Sequence, residues 1–189
     1  MRALNWKSVG SVITVYRSLV FILLTAALPV SVFGKTAAGE FYLSVTMVTG
    51  EHTRDSNSTT TSLTIKEDIL VYEESHQGAH SNRRPPVKKE YKLNSEDLAA
   101  LTRALRDKDL LVTRRLSGLT PEQGSSRYFE LKIRSKLNGK EHLISIDGPR
   151  NAIKLKEERT YKNSLYLLEQ IYKIIDRTDP DVMMPALID

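Results

Sequence analysis

The side chains best suited to chemistry crowd into one short stretch, Glu73, Glu74, His76 and His80. Imidazole and carboxylate are the ligands that zinc and related ions prefer, and two histidines four residues apart share one face of a helix. Glu74, His76 and His80 are therefore the candidate metal ligands, and a small metal-dependent or other hydrolase, its site assembled from residues distant in sequence, is one reading of the chain. The local chemistry argues the other way. Gly78, Pro85 and Pro86 predict a long loop from Ser75 to Val87, and no glutamate sits between the histidines as it does in a zinc-protease helix. On a loop these side chains are ordinarily solvated. His52 and His142 are too isolated to add a ligand.

A second constellation is basic. Arg83, Arg84, Lys88 and Lys89 flank Pro85-Pro86 in an extended segment, a candidate docking strip for an acidic protein face, an anionic glycan or lipid head groups. From Arg83 to Arg115 there are ten basic and five acidic residues, so Arg103, Arg106, Arg114 and Arg115 could extend the patch. Tyr91 is the one aromatic residue among these cations, too few for the stacking platform of a nucleic-acid groove. Asp147-Gly148-Pro149-Arg150 places a carboxylate and a guanidinium at a strand end, although turn formation explains the same residues.

Other chemistries lack their signatures. There is no Gly-x-Ser-x-Gly elbow and no glycine-rich phosphate loop. With no cysteine among 189 residues, disulfides, thiolate nucleophiles and thiolate-bound zinc are excluded, and no cofactor is expected. The exclusions favour a non-enzymatic binding or interaction module.

The first 34 residues set the compartment. Arg2, Lys7 and Arg17 are their only charges, the apolar run Leu19 to Leu28 follows, and Pro29 and Val32-Phe33-Gly34 close the segment. Basic, then apolar, then small is the order of an export signal, here with cleavage after Gly34 or, less well, after Ala38. Residues 18–34 are also just long enough to span a bilayer as an uncleaved anchor, the only route to a membrane and the basis of a third reading as an anchored structural protein. Removing residues 1–34 leaves 25 Lys and Arg, three fewer than the chain's 28, against 23 Asp and Glu. The mature net charge is therefore +2, too small for a general argument from charge. A cysteine-free exported chain of this size folds on its core alone and suits a periplasm or cell surface better than a disulfide-forming secretory route. The triplet Asn57-Ser58-Thr59 matters only in a glycosylating host.

The remaining residues predict one α+β domain over 35–178 and an irregular tail over 179–189. Phe41, Leu43, Val45 and Met47 alternate with polar residues, predicting a strand over 40–48 before a polar loop from Thr49 to Thr61. Leu63 and Ile65, then Ile69 to Tyr72, predict a hairpin turning at Glu67-Asp68, and Lys88 to Leu93 a short strand. Asn94 and Asp97 make a capping box for a helix whose stripe is Leu98, Leu101 and Leu105. Asn138-Gly139 suits a type I′ turn and sets Ile133 opposite Ile144, Leu131 opposite Ile146 and Lys136 opposite Glu141. A long amphipathic helix is predicted over 158–177. The fold expected is a mostly antiparallel sheet of five or six strands, covered on one face by two helices.

Intact-mass spectrometry of the exported protein should give a chain beginning at Lys35. A species retaining Met1 to Gly34 would establish the anchor instead.

Overall fold

The computed structural model of the chain describes residues 41–51, 57–78, 84–117, 127–150 and 153–187. The predicted export segment, His80 and Arg83 lie outside these residues. In chain order the elements are β1 (Tyr42–Glu51), β2 (Ser58–Lys66), β3 (Ile69–Gln77), β4 (Val87–Lys92), α1 (Ser95–Asp107), β5 (Arg114–Leu116), β6 (Arg127–Leu137), β7 (Lys140–Pro149), α2 (Ile153–Glu157) and α3 (Arg159–Asp176). The fold is α+β. Its sheet runs β4-β3-β2-β1-β6-β7-β5, antiparallel throughout except that β5 pairs parallel with β7.

Alternation along the strands sorts the side chains. Leu43, Val45 and Met47 of β1, Leu63 and Ile65 of β2, and Phe129, Leu131 and Ile133 of β6 are all buried and form one cluster with the apolar stripes of α1 and α3. Residues of the other parity, such as Ser44, Thr46, Ser62, Thr64, Lys132 and Arg134, are half-buried or exposed, the pattern of an antiparallel sheet wet on one side. The hairpin at Asn138-Gly139 has the expected register, with both turn residues at positive φ. Asn94 and Asp97 close the capping box as predicted.

Four expectations are corrected. The sheet has seven strands, not five or six. The addition is β5, whose three residues are too few for a periodicity to register and whose parallel partner is remote in sequence. A third, short helix, α2, joins the two expected. The polar stretch read as a loop from Thr49 to Thr61 is strand over 49–51 and 58–61, at the ends of β1 and β2, and the loop predicted from Ser75 to Val87 begins only after Gln77, where β3 ends. Threonine is β-branched and favours the pleat even where nothing apolar alternates with it, and both edges of this region are paired: Thr49 lies opposite Thr59 and Phe129, and Thr59 opposite His76. Likewise Asp147-Gly148-Pro149 is not a turn but the end of β7, with Gly148 and Pro149 opposite Phe129 and Tyr128.

The C-terminal tail folds back. Asp179 accepts hydrogen bonds from Lys89 and Tyr91 on β4 at 2.6 and 3.1 Å, Arg150 Nη2 donates to the Ala186 carbonyl at 3.1 Å, and Leu187 is 3 % exposed. Among the described residues no helix is long and apolar enough to cross a membrane.

Phe129 is fully buried and stacks edge-on against Tyr161 of α3, with ring centroids 6.1 Å apart. Phe129→Ala should cost about 3–5 kcal/mol of unfolding free energy in urea titrations, whereas Ile69→Ala at an exposed strand start should stay within about 0.5 kcal/mol.

Candidate functional site

One end of the sheet gathers polar side chains into a cleft. β1 ends there, β2 begins there and β3 ends there, so Thr49, Glu51, Ser58, Thr59, His76 and Gln77 converge on it, joined by Asn57, by Arg84 ahead of β4 and by Arg150 beyond β7. The space they enclose is about 500 Å³, within the range of small-molecule sites. Gly50 belongs to the same rim for a steric reason. A Cβ there would meet the Tyr128 ring at 2.7 Å, so glycine is what lets that ring lie across the strand beside it.

A chain of hydrogen bonds runs down one wall. Thr59 Oγ1 is 3.1 Å from His76 Nδ1, His76 Nε2 is 3.0 Å from Glu74 Oε1, and the Tyr72 hydroxyl donates to Glu74 Oε2 at 2.5 Å. With its proton on Nε2 the imidazole donates to Glu74 and accepts from Thr59. These contacts follow from strand geometry: Tyr72, Glu74 and His76 are alternate residues of β3 on its core-facing side, and Thr59 is the cross-strand partner of His76. Burial, with the bond to Glu74 second, drives the Tyr72 phenol far above its ordinary range. Burial likewise raises the Tyr172 phenol, with the Glu74 charge adding to it.

Charge in the cleft is positive on balance. Glu51 accepts from Arg127 Nε at 3.0 Å, and Glu74 is held by His76 and Tyr72. Among the described residues no carboxylate pairs with Arg84. The Arg150 guanidinium is fixed at the rim by its bond to Ala186 in the folded-back tail.

Of the residues singled out by sequence, Glu74 and His76 are brought together, on a strand and not on a loop. Arg84 lines the cleft. Lys88 and Lys89 are parted by the alternation of β4: Lys88 pairs with Glu73 at 3.1 Å on the uncovered face, and Lys89 with Asp179 at 2.6 Å on the helix side. Arg114 donates to the Thr160 hydroxyl at 2.9 Å and Arg115 lies 3.9 Å from Asp147, each committed away from the 83–89 strip. Among the described residues no group of three or more His, Asp or Glu is placed to hold a metal ion. Thr59, Tyr72 and Gln77 were not among the site candidates, and Arg150 was attributed to a turn. Pairing outward from the Glu67-Asp68 turn would have set Thr59 against His76.

Lys89 makes the largest contribution to holding the Asp179 carboxyl below the ordinary aspartate value of 3.8. A depressed carboxyl stabilises the fold above its unfolded value and loses that contribution as pH falls through the folded one. Asp179→Asn should therefore melt below the parent protein at neutral pH, and the gap in melting temperature should close below about pH 3.8. A gap that persisted unchanged in acid would contradict the latch.

No protein-family model matches this chain, and no curated protein shows significant sequence similarity to it.

Proposed function

We propose that this chain is an exported, non-enzymatic binding module, periplasmic or at the cell surface, whose ligand occupies the cleft at the β1, β2 and β3 ends. The observation that carries the reading is the lining itself. Two guanidiniums, two side-chain amides and several hydroxyls converge on a space the size of a small ligand, and Thr49, Ser58, Thr59 and Gln77 are mounted on paired strands and therefore preorganised. Export is supported by the basic, apolar and small-residue order of residues 1–34. A domain 35–178 with its tail would be the mature unit.

A hydrolytic reading is favoured by one feature, the hydroxyl, imidazole and carboxylate order of Thr59, His76 and Glu74, which is the order of a nucleophilic relay. It lacks the second half of such a site. Thr59 lies within a strand paired on both edges, to Thr49 and to His76, so the amides beside it serve the ladder and not an oxyanion. The geometry suits the relay better to holding His76 in one orientation at the cleft wall.

A thermal-shift screen of hydrophilic metabolites against the full chain tests this. A ligand at a hundredfold excess over its Kd adds about 2.7 kcal/mol to stability, and Gln77→Trp, which fills the cleft from an exposed position, should abolish the shift. Turnover of nitrophenyl esters that disappears in both Thr59→Val and His76→Gln would replace the binding reading with the hydrolytic one. Zinc, copper or nickel bound stoichiometrically by the purified protein would revive the metal reading of Glu74, His76 and His80.

A further inference from the structure

We propose a second ligand site on the uncovered face of the sheet, at the end away from the rim cleft, that takes a free α-amino acid with an apolar side chain. It stands apart from the rim cleft and does not depend on it. Tyr42, Thr113, Arg134, Lys136, Glu141 and Leu143 are among the residues bordering a space of about 520 Å³ there, as large as the cleft and within the range of small-molecule sites. Register puts them on one face. Tyr42, Lys136 and Glu141 stand in one row across β1, β6 and β7, and Arg134 stands opposite Leu143 in the next. Their chain neighbours Leu43, Ile133 and Ile144 are buried in the core, so strand alternation turns this set outward.

Two opposite charges set the class of ligand. Arg134 and Glu141 are diagonal neighbours on β6 and β7, a separation of about 7–8 Å between backbones. Among the described residues neither makes a hydrogen bond or an ion pair, and Lys136, which stands opposite Glu141, is engaged otherwise. Charges so spaced suit a zwitterion whose ammonium and carboxylate sit on one carbon, because each charge-assisted contact spans about 3 Å. A simple anion would use Arg134 and meet Glu141 as a like charge, and a simple amine would do the reverse. A peptide parts its charged ends by at least one further residue, about 3.5 Å of chain, and engages only one of the two. The body of the ligand meets apolar surface: Leu143 and the Tyr42 ring are half-buried on this otherwise hydrophilic side of the strands, contact that leucine or phenylalanine gains and glycine does not.

Isothermal titration of the full chain compares phenylalanine with phenethylamine and hydrocinnamate, which lack its carboxylate and its ammonium, and leucine with isoamylamine and isocaproate likewise. At least one of the two amino acids should bind about tenfold or more tighter than both of its analogues and than glycine, the step that one charge-assisted contact supplies. Arg134→Gln should remove the advantage over the amine and Glu141→Gln the advantage over the acid. Both positions are exposed, so the melting temperature should not change, and loss of binding there is not loss of fold. Binding should persist in Gln77→Trp, which blocks the rim cleft alone. An analogue that binds as tightly as its amino acid, an affinity unchanged by both Arg134→Gln and Glu141→Gln, or no heat from either amino acid would overturn the inference and leave the rim cleft reading standing. Heat abolished by Gln77→Trp would also overturn it, by moving the amino acid to the rim cleft.

Discussion

Everything in this fold depends on β1 being hydrogen-bonded along both edges, to β2 on one side and β6 on the other. A strand paired twice cannot slide without breaking two ladders. Its two-residue period then dictates the parity of every neighbour, because a slip of one residue would exchange the buried and wet faces. Leu43, Val45 and Met47 therefore fix which side of the whole sheet meets α1 and α3. The same constraint is inherited at the polar end of the sheet, where no apolar residue enforces it. Thr49, Thr59 and His76 stand side by side because the register set among leucines and isoleucines continues past them.

That inheritance explains how a polar site keeps its shape. The relay of Thr59, His76, Glu74 and Tyr72 begins at the cleft and ends among buried tyrosines. Glu74 satisfies two partners at once, which avoids leaving a half-buried carboxylate uncompensated. The tail closes the structure from below. By tying Asp179 to β4 and Ala186 to Arg150, it joins the first half of the sheet to the far end of β7 and sets one of the two cleft arginines.

The legible parts of the sequence were those where a local signal had a single structural answer. Asn138-Gly139 admits one hairpin register, and the capping box at Asn94 one helix start. The alternation of Leu43, Val45 and Met47 specifies one buried face. The site was only half legible. Glu74, His76 and Arg84 stood out by residue type, but the grouping of Arg84 with Lys88 and Lys89 followed nearness in sequence, which strand alternation does not respect. The polar ends of β1, β2 and β3 read as loops because periodicity registers only where apolar residues alternate, and here the register was carried by pairing with strands elsewhere. Arg150 was hidden by a Gly-Pro pair that resembles a turn when seen without Tyr128 and Phe129 opposite it.

We propose that this molecule meets its ligand in the rim cleft at the β1, β2 and β3 ends. A crystal structure of the full chain grown with a hit from the metabolite screen tests that most directly. Density for the bound compound in the cleft is the predicted result. Density confined to other surfaces, with the cleft holding only water, would contradict it.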